Sequence, residues 1–331
     1  MFRIATYNLE NLDEDTSPDS APSFAERAAI IRPALERLRA DIICFQEING
    51  QERDGEKRDI LALKDLLGGT RYANHHLLHT KTESGNEAYN ERNLVTAIPA
   101  DWQVLSQEQI NQDRMDAPVF KRTVAGDQEA KPVRWERPLL YLKVQAPGGA
   151  VLHIVNVHFK SKLASAFSPL MEDSYTWKNA SGWAEGFFLS SVKRVGAALE
   201  ARLVIDDIFT EDPGAAILIL GDFNAKSDEV PVVALRGRVE ETGNGALAER
   251  VMVPLEDNVP ESARFTLYHH GQGEMIDHIL VSRRMLSAFS HTEIHNEILP
   301  DESLAFRGDR KFPEPDHAPV VAAFHDDLLT P

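Results

Sequence analysis

An α/β (α+β) protein built from two packed β-sheets flanked by helices is predicted by three observations. The sequence holds many short strand-like runs, only a few long helical ones stand among them, and no repeat, low-complexity tract or linker divides its 331 residues. A chain of this length can form one sandwich or two ordinary domains. Without a dividing segment, residues 1–331 read as one unit.

The chain enters a strand at once, with Phe2, Ile4 and Thr6 alternating with Ala5 and Tyr7 before the polar tip Asn8-Leu9-Glu10-Asn11. Ser23 and Glu26 form a capping box ahead of Ile30, Ile31, Ala34, Leu35 and Leu38, predicting a helix from about residue 23, bent near Pro33. Asp41 to Phe45 reads as a buried strand that delivers Gln46-Glu47 at its end. Leu61 to Leu67 reads as a second helix closed by Gly68-Gly69, with weaker strand signals at 72–78 and 94–98. Residues 100–135 are polar and poorly periodic, which predicts loops. Leu139 to Val144 and Val151 to Phe159 flank Pro147-Gly148-Gly149, the pattern of a hairpin with a turn longer than two residues. Residues 160–186 mix lysines, Tyr175, Trp177 and Trp183 with Ser and Gly, and predict a loop over the substrate. Phe188 to Ile208 has helical spacing, and Ile217 to Leu220 is a short buried strand ending in Gly221-Asp222-Phe223-Asn224. Strand signals at 265–268 and 275–281 precede a polar linker and a last strand at 319–324.

Apolar residues make up 43% and charged residues 26%, a globular mixture that can bury a full core. Fifty-two acidic against 35 basic residues leave a net charge of −17, which disfavours a non-specific grip on polyanions. A phosphate substrate stays open, because a carboxylate pocket loaded with divalent cations becomes locally positive. The single cysteine, Cys44, excludes an intrachain disulfide and a thiolate zinc site and reads as a small buried hydrophobe. No apolar run reaches the ~20 residues of a membrane span, and the N-terminus reads directly as a strand, so no transmembrane segment, no signal peptide and a cytoplasmic location are expected.

Polar clusters stand at five strand ends: Asn8-Leu9-Glu10, Gln46-Glu47, Asn156-Val157-His158, Asp222-Phe223-Asn224, and Asp316-His317 ahead of the last strand. Side chains two apart on a strand point the same way, so Asn8 with Glu10, Asn156 with His158, and Asp222 with Asn224 can each face one cavity. Carboxylates and amides without thiols suit a hard cation, Mg²⁺ or Mn²⁺. Taken singly, each cluster reads at least as well as ordinary turn chemistry.

The whole set, Thr6 to Glu10, Phe45-Gln46-Glu47, Asn156 to Lys162, Gly221 to Asn224, Ile276-Asp277-His278 and Asp316-His317, resembles in that order the motifs of the endonuclease/exonuclease/phosphatase family. The resemblance runs from residue 4 to about residue 324, and His158-Phe159-Lys160-Ser161-Lys162 is most similar to its bacterial nuclease branch. It implies a four-layer α/β/β/α sandwich of two mixed β-sheets with the site at one end. It further implies that Glu47 is the principal metal ligand, helped by Asn8, Glu10 and Asp316. Asp222 and Asn224 would orient or deprotonate the attacking water, and His158 and His317 would flank the phosphate. Asp277 would fix one of these imidazoles. Asn93, Arg137 and Asn156 are expected at the substrate phosphate, although a surface ion pair is an equal reading of Arg137.

The implied activity is divalent-metal-dependent phosphodiester hydrolysis with nucleic acid, DNA or RNA, as substrate. Two other readings share the fold: a hydrolase of a lipid head group or small phosphoester, and a binding module without turnover. The first lacks an amphipathic membrane-binding segment. The second leaves the joint presence of metal-type and proton-transfer residues without a reason. The clusters His75, His76, His79 and His269-His270 read as satisfied or exposed histidines. Trp177 and Trp183 read as pins for their loop in preference to base-stacking groups.

Overall fold

The structure is a computed structural model that describes residues 1–15, 22–124, 129–304 and 311–329. In chain order its elements are β1 (Phe2–Leu12), α1 (Phe24–Leu38), β2 (Ile42–Ile48), α2 (Leu61–Leu67), β3 (His76–His79), β4 (Asn93–Ile98), β5 (Gln103–Ile110), β6 (Val119–Phe120) and β7 (Lys131–Pro132). There follow β8 (Leu139–Gln145), β9 (Val151–His158), α3 (Ala180–Glu211), β10 (Ala216–Asp222), α4 (Val230–Arg236), α5 (Val239–Thr242), β11 (Val253–Pro254), β12 (Leu267–His269) and β13 (Gln272–Glu274). The last elements are β14 (Asp277–Val281), α6 (Arg283–Ala288), β15 (Phe289–Ile294) and β16 (Val320–Phe324).

Two six-stranded sheets form the body, in the orders β15-β16-β1-β2-β4-β3 and β11-β14-β10-β9-β8-β5. Each is mixed, because β1 runs parallel to β2 and β9 parallel to β10 while the remaining neighbours are antiparallel. Alternation assigns the faces. Phe2 and Ile4 of β1 enter the core between the sheets with Leu142, Ile154 and Leu218. Ala5, Tyr7 and Leu9 face the opposite way and pack with Ile31, Leu35 and Leu63 of α1 and α2. A third apolar layer joins Val155, Ile217 and Ile219 to Ala201, Ile205 and Val232 of α3 and α4. The fold is therefore the expected four-layer α/β/β/α sandwich.

Local signals explain several boundaries. The Ser23 hydroxyl accepts from Glu26 N at 3.3 Å and the Glu26 carboxylate accepts from Ser23 N at 2.8 Å, the reciprocal bonds of the capping box. Pro33 lies inside α1, which continues through it. The β8–β9 turn closes through Gly149 N to Ala146 O at 2.8 Å, with Gly149 at φ +93°.

Four expectations are corrected. The 100–135 stretch is not all loop, since β5 and the β6–β7 hairpin lie in it. β5 is an edge strand whose residues are mostly exposed, so it lacks the apolar alternation that marks a half-buried strand. Helix α3 begins at Ala180, eight residues before Phe188, because Asn179 caps it by accepting from Gly182 N at 2.7 Å. The linker before the last strand contains α6 and β15, another edge strand, with its exposed face toward solvent. The strand signal at 72–78 is realised only at His76–His79, after a turn. No helix among the described residues is long and apolar enough to cross a membrane.

Candidate active site

All five polar strand ends lie at one end of the sandwich. β1 and β2 are parallel and end together, and antiparallel β16 starts beside them, which brings Asn8, Glu10, Glu47, Asp316 and His317 to one edge of the first sheet. In the second sheet, parallel β9 and β10 end at His158 and Asp222, and antiparallel β14 begins at Asp277, paired directly with Asp222. The loop residue Arg137 precedes antiparallel β8 at the same end.

Hydrogen bonds join the two edges. Asn8 Nδ2 donates to Asp222 Oδ2 at 3.1 Å, and His317 Nδ1 donates to Asp277 Oδ2 at 2.8 Å. His158 Nε2 lies 3.3 Å from Asp222 Oδ2 and 3.4 Å from Glu47 Oε1, so one imidazole faces a carboxylate from each sheet. Asn224 donates twice to Asp222, from its backbone N at 2.8 Å and from Nδ2 at 2.9 Å. The other imidazole nitrogen of His317, Nε2, is 3.9 Å from both Asp222 Oδ2 and Asp316 Oδ1. Asp277 thus orients His317 and leaves Nε2 turned to the remaining carboxylates.

The backbone is strained where these side chains are presented. Glu10, Asn11, Glu47 and Asn224 adopt φ values of +46°, +49°, +59° and +49°, a region costly for residues with a Cβ. Local bonds hold them there: Glu10 N donates to Asn8 Oδ1 at 2.9 Å and Asn11 N to Glu47 Oε2 at 3.1 Å.

The electrostatics describe a surplus of carboxylates. Burial, reinforced by Glu10 and Glu47, pushes the Asp316 carboxyl up to about 8 despite His317. Burial likewise raises Glu10, with Glu47 adding to it. Burial would raise Asp222 too, but His317 and His158 hold it well below the carboxylate range. Burial would lower His317, but Asp277, Asp222 and Asp316 raise it well above the ordinary histidine value. Burial and the Arg137 guanidinium lower His158, against Asp222 and Glu47.

A divalent cation fits this arrangement. Asp316 Oδ1 is buried without a hydrogen-bond partner, and the oxygens of Glu10, Glu47 and Asp316 are hard donors, with Glu10 and Asp316 still raised despite Arg27 and His317 nearby. Ligand-type atoms of Glu47, His158 and Asp222 lie within 4.8 Å of one another, as do those of Asp222, Asp277 and His317. In both of these groups an imidazole stands between the carboxylates, whereas Asp316 Oδ1 has no partner, so the Glu10, Glu47 and Asp316 side could hold the cation. Asn8 borders it, with one lone pair of Oδ1 engaged by Glu10 N.

Two expected phosphate contacts are corrected. Asn156 is fully buried between the sheets, its Nδ2 donating to Phe45 O and Val95 O and its Oδ1 accepting from Gln46 Nε2 at 2.8 Å. Asn93 is also fully buried, with Nδ2 on Ile48 O and Tyr89 O and Oδ1 accepting from Tyr89 N at 2.8 Å. Both amides are saturated by the framework and support the β2 end from behind. Arg137 lies within electrostatic reach of Glu47 and Asp222 while Nη1 donates to Phe159 O at 2.7 Å, leaving its other nitrogens for an anion.

Further residues build the site, Arg27 and Thr266 from outside the motifs and His278 from within one of them. Arg27 of α1 donates to Leu9 O at 2.6 Å and Glu10 O at 3.1 Å, fixing the strained β1 tip. The buried Thr266 hydroxyl accepts from Asp277 N at 3.2 Å. His278, paired with Glu256 in the core, bonds Ala225 O at 2.8 Å and holds the turn after Asn224. Away from the site, His75 bonds Asp41 O, His79 bonds Thr80 O, and His269 faces Glu302. Trp177 packs over Gly186, as a loop pin should, whereas Trp183 is 47% exposed and stacks on Phe187.

The sequence model of the endonuclease/exonuclease/phosphatase family matches residues 5–299. The fold is similar to truncated TDP2 from Caenorhabditis elegans, with TM-score 0.58, 14% identity, and coverage of 98% of this chain and 97% of the other. A protein of the same family from Bacteroides vulgatus gives TM-score 0.57 at 17% identity, covering 98% and 99%. A mannosyl-6-phosphatase from Bacteroides thetaiotaomicron gives 0.58 at 13% identity, covering 98% and 100%. No curated protein matches the sequence. The chain belongs to the endonuclease/exonuclease/phosphatase family, whose members are hydrolases acting on phosphoester bonds and are generally dependent on divalent metal.

Proposed function

We propose that this chain is a Mg²⁺- or Mn²⁺-dependent phosphodiesterase that cleaves nucleic acid, a nuclease with one active centre between the edges of its two sheets. The observation that carries the reading is the convergence of an ionised Asp222, a His317–Asp277 pair and the crowded Glu10, Glu47 and Asp316 carboxylates at one end of the sandwich. Glu47, Asp316 and Glu10, bordered by Asn8, would hold the cation. Bound there, the cation would neutralise charge on the non-bridging oxygens and support the departing alkoxide.

The chain's own groups supply the rest. Asp222 stays ionised and takes two bonds from Asn224, so it suits the task of orienting a water as an acceptor of its hydrogen bond. His317 is held by Asp277 with Nε2 toward the cavity, where it can donate to a phosphoryl oxygen as charge builds. Arg137 adds a second fixed positive group. His158 sits behind Glu47 and Asp222 and aligns them.

The test is hydrolysis of bis-p-nitrophenyl phosphate, plasmid DNA and RNA with Mg²⁺ or Mn²⁺, with and without EDTA. Metal-dependent release from the small diester together with cutting of a nucleic acid is expected. Cleavage of sugar phosphates or phospholipids with both nucleic acids spared would overturn the substrate assignment, and no turnover of any of them would overturn the enzyme.

A further inference from the structure

We propose that the cavity between the β6–β7 hairpin and the N-terminal half of α3 is a nucleotide subsite, taking a phosphate and the flat ring of the unit next to the scissile diester. It rests on the phosphodiesterase reading above and names what the substrate offers beyond its reacting phosphate.

The cavity measures about 400 Å³, within the ~300–1,000 Å³ range of small-ligand sites. Its wall is aromatic and cationic. Phe120 and Phe167 line it, and the Arg122 guanidinium lies 4.0 Å from the centre of the Phe167 ring, a flat surface of the kind on which bases stack. Arg122, Lys131, Arg134 and Lys193 give four cations against the single carboxylate Glu129, in a chain whose net charge is −17. Arg122 is neutralised by Glu185, and Lys193 pairs with Glu136. Lys131 and Arg134 have no carboxylate partner among the described residues, so they are the pair available to a phosphate.

Two buried glutamates of α3 hold this wall in place. Glu185 accepts from Thr123 N at 2.6 Å and from Arg122 Nη1 at 3.2 Å. Glu200 accepts from Asp113 N and Trp135 Nε1, each at 2.8 Å. A segment so tethered is a preformed surface, which lowers the ordering cost of binding.

The cavity also adjoins the catalytic end. Lys193 lines it and pairs with Glu136, whose chain neighbour Arg137 is within electrostatic reach of Glu47 and Asp222. The next helix residue, Arg194, donates to Lys160 O at 2.9 Å and Ser161 O at 3.0 Å, in the loop that leaves His158. A strand whose reacting phosphate lies at Arg137 would therefore extend past Glu136 and Lys193 toward Lys131 and Arg134. A phosphate with a flat ring is nucleotide chemistry, whereas a lipid head group or a polyphosphate brings no flat aromatic ring.

The test uses the full chain and a variant carrying Lys131→Glu and Arg134→Glu, both exposed positions. The ratio of kcat/KM on a four-nucleotide thymidine strand to kcat/KM on bis-p-nitrophenyl phosphate should fall about tenfold or more, mainly through KM. In EDTA, the Kd of the fluorescein-labelled strand should rise about tenfold, with a shallower salt dependence. AMP should displace the strand much better than inorganic phosphate. If AMP binds through these residues as tightly as the strand, the ligand is a free nucleotide, and otherwise it is a strand. An unchanged ratio with an unchanged Kd would overturn the subsite, and equal competition by inorganic phosphate would overturn the nucleotide assignment. An enzyme inert on both substrates would strike the phosphodiesterase reading instead, and the binding measurements would then decide the subsite alone.

Discussion

Glu47 and His317 stand close to the same carboxylates and yet have separable tasks. Glu47 belongs with Asp316 and Glu10 on the crowded side, while His317 is held by Asp277 at 2.8 Å and turns Nε2 to Asp222. Glu47→Gln should raise the Mg²⁺ concentration needed for half-maximal activity by about 10–100-fold. His317→Ala should leave that concentration nearly unchanged and lower kcat by about 10²-fold or more. Metal titrations of the two variants separate the roles, and equal, mild losses in both would refute them. These residues were legible because strand periodicity places side chains two apart on one face, and because six short motifs occur in family order. The partner of Asp277 was not legible, since the pairing depends on how β14 meets the loop before β16. Asn93 and Asn156 show the converse limit. An amide at a strand end looks the same in sequence whether it faces a ligand or saturates the framework between two sheets.

Among the elements, β10 shows how tightly a motif can depend on its backbone. Gly221 has φ +147°, and a Cβ there would lie 1.9 Å from Val157 O of the neighbouring strand β9. Gly221→Ala should therefore part the two strands that carry Asp222 and His158, at a cost of at least about 3 kcal/mol in urea unfolding, with activity lost even in the fraction that folds. A variant as stable and active as the parent would show that the approach is not needed. β9 carries a second testable residue, His153, which faces Tyr141 and Lys143 on β8 and Asp212 after α3. Burial, then Lys143, lowers its pKa from the ordinary 6.5 to about 4. In that window the unfolded chain binds a proton that the folded chain refuses, so stability falls as pH drops from 6.5 toward 4. His153→Gln should lose less of its urea midpoint than the parent over this window, and parallel losses would count against the assignment. Neither feature is legible in the sequence: Gly221 reads only as the start of the motif that ends in Asn224, and nothing singles out His153. The buried strands were read correctly because their apolar faces are obligatory. The edge strands β5 and β15 were missed because exposure relieves them of that pattern.

Over the whole molecule, the division of labour follows the division into sheets. The groups that suit a cation, Asn8, Glu10, Glu47 and Asp316, come from the edge of the first sheet, and Asp222, Asn224, His158 and Asp277 come from the second. His317 and Asn8 reach across to Asp277 and Asp222, so the cleft between the sheets is closed at this end by polar bonds where the apolar core stops. Without a cation, burial and the neighbouring Glu10 and Glu47 drive the Asp316 carboxyl up to about 8. A bound Mg²⁺ would relieve that repulsion in the folded state alone, because the ligands are far apart in the unfolded chain. At a concentration of about 100 Kd the stabilisation should be about 2.7 kcal/mol, a rise of several degrees in Tm. His317→Ala removes a neighbouring positive charge and should keep or enlarge the rise, whereas Glu47→Gln should abolish most of it. Differential scanning calorimetry in EDTA and in excess Mg²⁺ reads all three proteins. An absent shift in the parent, or the same shift in Glu47→Gln, would mean that the crowded carboxylates do not converge on a cation.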